Sequence, residues 1–295
     1  MSAFLPAILP VGLIILVGFV AQRSLALERQ TLSQLIVYVL SPALIISSLY
    51  QTTISVRSAA SLLAGYALTA SVLYGMAWGV GTLLQRPAAF RQSLIVTTIF
   101  PNTGNLGLPV VAFVLGEAGL ERAVIYLLAS ALLMYAVCPA LLQGKGWGYG
   151  ISMTLKLPFL WAMLAGFSLR LFPGQLPFGL DQGIDQLGQA AIPVSLVMLG
   201  MQLGRDRFAV GTEEGLAAAL RLVGGPAIAY AVGRFMGLET LNLQVLVLQS
   251  AMPTAVNTFV MVTEFGGDAP RVSRTIVCST LVSFITLPLV LWVIS

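Results

Sequence analysis

Long apolar stretches separated by short polar breaks fill the whole 295-residue chain. A helix needs about 20 mostly apolar residues to cross a bilayer, and ten stretches approach this length. They lie at about 4–21, 32–50, 59–84, 93–116, 121–143, 151–172, 187–203, 215–236, 244–265 and 271–294. Because their apolar residues are continuous and do not alternate, they predict helices and not barrel strands. We therefore predict an all-α membrane protein with ten transmembrane helices, numbered here as spans 1–10.

Composition supports the membrane and excludes several functions. Only 9% of the residues are charged and 58% are hydrophobic, whereas a soluble domain carries roughly 25% charged residues. The chain has no histidine, which removes histidine metal sites and Ser-His catalysis. Neither a Gly-x-Ser-x-Gly motif nor paired mid-membrane aspartates occur, and the basic residues do not cluster as they would for nucleic acid. We predict a protein that is not an enzyme, with no cofactor, metal site or nucleic-acid partner.

The 15 lysines and arginines fall unevenly on the two sides that the ten spans define. One side receives eleven of them: Arg23, Arg29, Arg86, Arg91, Lys145, Lys156, Arg205, Arg207, Arg221, Arg271 and Arg274. The other side receives Arg57, Arg122, Arg170 and Arg234. Because an excess of positive charge marks the cytoplasmic side, this tally predicts that both termini lie outside the cytoplasm.

The two halves of the chain resemble each other. Three pairs of segments recur in the same order at offsets of 148, 151 and 152 residues: Leu16-Val17-Gly18-Phe19 with Leu164-Ala165-Gly166-Phe167, Ser41-Pro42 with Ile192-Pro193, and Pro101–Asn105 with Pro253–Asn257. We predict repeat 1 at 1–143, a linker at 144–150 and repeat 2 at 151–295. Five spans per repeat give the repeats opposite membrane orientations, a pattern typical of secondary transporters whose site lies near the bilayer midplane.

Spans 4 and 9 each contain a helix breaker at mid-depth. Proline and glycine in Pro101–Pro109 and in the matching Pro253–Thr258 cannot continue a regular helix. Where two unwound helices meet, the N-terminal ends of their later halves offer free N–H groups and partial positive charge to a carboxylate. The predicted binding residues are Pro101, Asn102, Thr103, Gly104, Asn105, Pro253, Thr254, Asn257 and Thr258. The alternative is two proline-kinked helices with structural asparagines.

Other polar residues give weaker candidates. Secondary contacts are predicted at Ser47, Ser48, Gln249 and Tyr126. Sodium could bind near Asn102, Thr103 and Gln249, whereas a proton has no evident carrier because the middles of spans 4 and 9 lack Asp and Glu. Coupling to sodium or protons, uniport, and a sodium or proton antiporter or channel without organic substrate all stay open. Four glycines are expected to allow close helix contact: Gly12, Gly18, Gly75 and Gly79.

The segment Pro101-Asn102-Thr103-Gly104-Asn105-Leu106-Gly107-Leu108-Pro109 resembles the signature of the auxin efflux carrier family, and so do Ser41–Leu44 and Ala251–Pro253. The resemblance implies a fold similar to bile acid:sodium symporters. Spans 1, 2, 6 and 7 then form a scaffold that often dimerises, and spans 3–5 and 8–10 form a transport domain in which spans 4 and 9 cross.

The resemblance also implies an elevator movement of the transport domain and a small carboxylate such as malonate or malate as substrate. It makes Pro101 and Pro253 the crossover prolines, and Asn105 and Asn257 the crossover asparagines. The short linker is similar to that of the bacterial branch, which implies a multi-pass protein of the bacterial inner membrane and a homodimer.

Overall fold

The computed structural model describes residues 5–25, 27–143, 147–171, 176–204 and 211–294. Across these residues the chain is helical, without β-strands and with one isolated antiparallel bridge. The α-helices are α1 Leu5–Ser24, α2 Arg29–Leu35, α3 Ser41–Gln51, α4 Val56–Leu83, α5 Ala88–Ile99, α6 Leu108–Gln143, α7 Trp147–Leu155, α8 Pro158–Arg170, α9 Leu180–Leu203, α10 Thr212–Ala219, α11 Gly225–Phe235, α12 Thr240–Ser250, α13 Asn257–Phe265 and α14 Ala269–Ile294.

Six helical stretches in the described ranges are long and apolar enough to cross a membrane. They are Arg29–Gln51, Val56–Leu83, Thr103–Gln143, Pro177–Leu203, Thr212–Phe235 and Ala269–Ile294. Leu9–Ser24 of α1 is a shorter apolar helix, and breaks separate α7 from α8 and α12 from α13. The predicted helical, multi-pass membrane protein is confirmed, and the count of ten spans stays a prediction.

Three short π-helical turns each lead directly into a helix that has proline at its second position. The turns are Ile36–Leu40 before α3, Thr103–Gly107 before α6, and Leu220–Gly224 before α11, and the prolines are Pro42, Pro109 and Pro226. Proline has no N–H, and its ring clashes with the carbonyl four residues earlier. A π turn shifts the hydrogen bonds by one residue and so accommodates that clash while keeping the neighbouring backbone groups bonded.

The helices stop at both positions where the sequence predicts breakers. The helix α5 ends at Ile99 and the π turn begins at Thr103, while α12 ends at Ser250 and α13 begins at Asn257. Farther along, Gly116 adopts φ 65° and ψ −163° inside α6. This glycine separates two helical parts of α6 that the sequence predicts as the end of span 4 and as span 5.

Close glycine contacts join α1 to α9. A Cβ atom on Gly18 would lie 2.1 Å from the carbonyl oxygen of Val197, and a Cβ atom on Gly200 would lie 1.9 Å from that of Ile15. Gly188 and Gly166 make similar approaches to the backbone of α3. Such contacts let helix backbones approach each other in a membrane, where packing drives helix association.

The structure corrects one sequence prediction, and others fall on residues that it does not describe. The helix α7 begins at Trp147, inside the predicted linker, and residues 144–146 lie outside the described residues. Three residues of the charge tally therefore lie outside them: Lys145, Arg205 and Arg207. The assignment of Arg221 to a cytoplasmic loop is wrong, because this residue lies within the helical stretch Thr212–Phe235 and is completely buried.

Candidate functional site at the two helix breaks

The two breaks pair with each other through their backbones. Pro101 and Thr254 form an antiparallel bridge. The Asn102 N–H donates to the Pro253 carbonyl oxygen at 2.7 Å, and the Ala255 N–H donates to that of Phe100 at 2.9 Å. These bonds satisfy backbone groups that the interrupted helices leave free, and unsatisfied groups at membrane depth are costly. The breaks therefore form one joined structure and not two independent kinks.

Arg221 is hydrogen-bonded to the C-terminal ends of α5 and α12, the two helices that precede the breaks. Its Nη1 donates to the carbonyl oxygens of Thr98 at 2.5 Å and Ile99 at 3.2 Å, in the last turn of α5. Its Nη2 donates to the carbonyl oxygen of Ser250, the last residue of α12. No carboxylate of the described residues lies within ion-pair distance of Arg221. Each helix C-terminus carries roughly half a negative charge, so together the two ends can offset the guanidinium.

Sequence reasoning missed Arg221, although a signal was present. An ionisable residue inside a membrane-spanning run is rare and usually has a functional partner. Arg221 lies within predicted span 8, at 215–236, and nevertheless was counted among the loop charges. The partner could not be deduced, because it consists of carbonyl oxygens from two distant helices.

The N-terminal ends of the later helix halves border a cavity of about 150 Å³, and Arg221 is not among the residues that line it. A cavity of about 150 Å³ can hold a molecule the size of benzene. Residues of both breaks line it: Pro101, Asn102, Thr103, Gly104, Asn105, Ala255, Val256 and Asn257. Residues of other helices complete the wall: Ser33, Ile36, Val37, Ser41, Leu127, Ser130, Ala131, Met134, Tyr135, Phe159, Met198 and Val260.

Three asparagines give this cavity donor groups. Asn102 is 4% exposed; its Oδ1 accepts a hydrogen bond from the Asn105 N–H at 3.3 Å, and its Nδ2 has no partner among the described residues. Asn105 is half-buried and Asn257 is exposed. An amide NH₂ group donates two hydrogen bonds, so the cavity wall is rich in donors. Among the described residues, none of those that line the cavity is a carboxylate.

Three predicted binding residues lie beside the cavity and hold the breaks in shape. Pro253 accepts the bond from Asn102. The Thr254 hydroxyl donates to the Thr97 carbonyl oxygen at 2.9 Å, and the Thr258 hydroxyl donates to that of Ala255 at 2.5 Å. Both threonines are fully buried, so their hydroxyls serve the backbone and do not face the cavity.

The predicted secondary residues also lie away from the cavity wall. The Ser47 hydroxyl donates to Asp185 of α9 at 2.8 Å, and Ser48 lies on the same helix, α3. The Tyr126 hydroxyl lies 3.0 Å from the Ser250 hydroxyl, on the side of Arg221. Gln249 is fully buried against Gly107, and neither atom of its amide has a partner in the described part of the chain.

Three residues are predicted to lie near a sodium ion. Asn102 and Thr103 line the cavity, whereas Gln249 does not. Ser33, Ser41, Ser130 and Tyr135 also line the cavity and are not among the predicted binding residues. Only their position in the fold distinguishes them from other polar residues of the spans.

Comparison with known proteins adds to this geometry. A family profile described as membrane transport protein matches residues 3–156 and 150–291. An uncharacterised transporter of Methanothermobacter thermautotrophicus is 30% identical over 297 residues, which cover 96% of this chain and 95% of that protein. A Rhizobium meliloti protein provisionally named a malonate transporter is 26% identical over 303 residues, covering 97% of this chain and 94% of its own length. A probable auxin efflux carrier component 5b of Oryza sativa subsp. japonica is 39% identical over 113 residues, which cover 37% of this chain.

Proposed function

Because the chain belongs to the membrane transport protein family, which includes auxin efflux carrier-like transporters, we propose that it carries a small carboxylate anion across the membrane. It is a multi-pass membrane transporter and not an enzyme. The finer proposal is a secondary transporter of the bacterial inner membrane, with the anion bound between the two helix breaks. The relative provisionally named for malonate makes a dicarboxylate the first candidate.

One observation carries the anion proposal. The cavity is bordered by two helix N-terminal ends and by Asn102, Asn105 and Asn257, and no acidic residue of the described ranges lines it. Helix N-termini and amide donors favour a negative ligand. A cation in the same place would meet the positive ends of two dipoles. The alternative of two structural kinks does not account for the unpartnered Asn102 Nδ2.

Reciprocal glycine contacts support two repeats of opposite orientation. Gly18 and Gly166 are equivalent at the offset of 148, and Val197 and Ile46 are equivalent at the offset of 151. Gly18 contacts the backbone of Val197, and Gly166 contacts that of Ile46. Each glycine thus approaches the other repeat at the equivalent residue, as a two-fold relation between the repeats requires. This exchange supports the ten-span arrangement.

The position of the cavity supports an elevator movement. One part of its wall belongs to the proposed transport domain and includes both breaks, while Ser41, Phe159 and Met198 belong to spans 2, 6 and 7 of the proposed scaffold. A site between two bodies can open to either side when one body slides along the other. Without Arg221, ten of the basic residues still fall on one side and four on the other, so both termini are proposed to lie outside the cytoplasm.

A ligand screen tests the proposed substrate class. The thermal stability of the purified protein is measured with mono- and dicarboxylates, with and without sodium and at two pH values. We expect at least one carboxylate to raise the Tm, because a ligand at 100 times its Kd stabilises the folded state by about 2.7 kcal/mol. The neutral diamide of malonate serves as the matched control and should leave the Tm unchanged.

Counterflow in proteoliposomes then separates a carrier from a channel. A carrier exchanges labelled for unlabelled carboxylate and saturates, whereas a channel does neither. If every carboxylate leaves the Tm unchanged and no counterflow is seen, the anion proposal is wrong.

A cross-link tests the elevator movement. Met198 of α9 and Val256, directly before α13, border the same cavity. In a background without the native cysteines, Met198→Cys with Val256→Cys is treated with a short bifunctional reagent that joins the two thiols through disulfide bonds. We expect transport to stop and to return after reductive cleavage, because the link joins the two bodies.

The control pair is Ser47→Cys with Asp185→Cys, whose native side chains hydrogen-bond at 2.8 Å between two scaffold helices. Linking this pair should leave transport intact. Full activity with the first pair completely linked would argue against movement between the bodies.

A further inference from the structure

We propose that Arg221 is a tethered cation that fills a carbonyl site between the two helix breaks and removes the need for a bound sodium ion there. The same charge, if the proposed anion transport is correct, gives the nearby cavity between the breaks its affinity for a carboxylate. Arg221 would then be a positioning residue, since it is not among the residues that line the cavity.

The carbonyl site is built from both repeats. Thr98 and Ile99 close the last turn of α5, and Ser250 ends α12. Their three carbonyl oxygens all accept from the Arg221 guanidinium. The carbonyl oxygens of α5 are thus bonded by Arg221, a residue of the span that contains α11 and about 120 residues later in the chain. The guanidinium is planar with donors in a fixed fork, so one side chain can reach both helix ends.

Such a site has the chemistry of a cation site. In transporters with broken helices, half-helix C-terminal ends and unwound carbonyls coordinate the coupling sodium. Here a guanidinium, which stays protonated in proteins, occupies those oxygens. Its attachment to the backbone makes the occupancy permanent. The neighbouring polar groups include the hydroxyls of Tyr66 and Tyr126, the second of which lies 3.0 Å from the Ser250 hydroxyl. No described carboxylate competes for the guanidinium.

The offset of the repeats shows that this arrangement is asymmetric. At 152 residues before Arg221, repeat 1 has Thr69, which is 1% exposed. A strictly symmetric protein would place two arginines against the two helix ends. A single charge instead serves both ends and matches the roughly two half-charges that they carry.

The charge of Arg221 also sets the sign of the electrostatic field at the cavity. The junction contains two positive and two negative helix ends within a small volume, and without Arg221 their effects largely cancel. When the guanidinium offsets the negative ends, the two N-terminal ends that border the cavity leave a net positive field. An anion is then stabilised without any basic side chain in contact with it.

Cation-dependent stability tests the tethered cation without any carboxylate. The wild-type protein should have the same Tm in sodium chloride and in choline chloride. Arg221→Ala should have a lower Tm in choline chloride and recover part of the loss in millimolar guanidinium or in sodium chloride. Arg234→Ala, at the exposed end of α11, is the matched control and should respond to neither ion.

Anion binding gives the second readout. If the ligand screen identifies a carboxylate, we expect Arg221→Ala to bind it about tenfold or more weakly and guanidinium to restore part of the affinity. Arg221→Lys keeps the charge and should bind within a few fold of wild type, without a response to sodium. Failure of every carboxylate in the screen would count against the proposed function alone, since the stability assay contains none.

Three results would overturn the tethered cation. The first is a wild-type Tm that is higher in sodium than in choline chloride. The second is a folded Arg221→Ala protein with wild-type stability and no response to guanidinium. If Arg221→Ala does not fold, Arg221→Lys decides: unfolding of this variant too, or a sodium response in it, would show that the charge is not what the site requires.

Discussion

Asn257→Ala should reduce carboxylate affinity roughly tenfold to a hundredfold while the protein stays folded. Asn257 begins α13, is exposed at the cavity and is not required by any hydrogen bond described for the breaks. A hydrogen bond to a charged group contributes about 1.5–3 kcal/mol. Asn105→Ala should have a similar effect, because Asn105 faces the same cavity from the other break. Ligand-induced Tm shifts and counterflow rates measure both variants.

Asn102 is a poorer choice for this test because its side chain also caps the Asn105 N–H, so its removal would disturb the break itself. Gln186→Ala, an exposed amide on α9 that does not line the cavity, is the matched control and should bind normally. If Asn105→Ala and Asn257→Ala both retain wild-type affinity and counterflow, the anion is not bound between the breaks.

Gly200→Leu should strongly destabilise the packing of α1 against α9, with a loss of about 3 kcal/mol of stability, the upper end of the usual range for overpacking. Even the Cβ atom would lie 1.9 Å from the Ile15 carbonyl oxygen and 2.8 Å from the Phe19 backbone nitrogen. Both neighbours are backbone atoms of α1, so the clash can be relieved only by moving the two helices apart. The Tm of the purified protein and its yield in the membrane measure this effect.

Gly183→Ala is the control on the same helix. A Cβ atom at Gly183 meets nothing within 4 Å, and alanine stabilises a helix by roughly 0.5–1 kcal/mol relative to glycine. This variant should therefore equal or exceed wild-type stability. A tolerated Gly200→Leu would mean that α1 and α9 are not packed as closely as the structure describes.

The helix breaks could be predicted from the sequence because their cause is local. Proline at positions 101 and 253 removes an N–H and imposes a steric clash wherever it stands in a helix. The repeated spacing from each proline to Asn105 and Asn257 placed the polar groups at the same depth. The pairing of the two breaks followed from their equivalence in the repeats, although the exact backbone bonds did not.

Long-range contacts account for what was missed. The partners of Arg221 are carbonyl oxygens, which every residue has, so no side-chain pattern identifies them. Glycine spacing was an equally weak signal: Gly18 packs against α9 as expected, whereas a Cβ atom on Gly12, Gly75 or Gly79 would meet nothing within 4 Å. Whether a small residue meets a neighbour depends on the orientation of two helices, which the sequence of one helix does not determine.

The bonds of Arg221 have a mechanical consequence. The Arg221 guanidinium is hydrogen-bonded to the ends of both α5 and α12, so the span that contains α11 is held directly against the two paired breaks. Any displacement of the cavity relative to α1 and α9 must therefore move this span together with both breaks, as one rigid body. The flexible joints of the molecule are then to be sought where this body connects to the proposed scaffold, such as the segment between α3, which ends at Gln51, and α4, which begins at Val56.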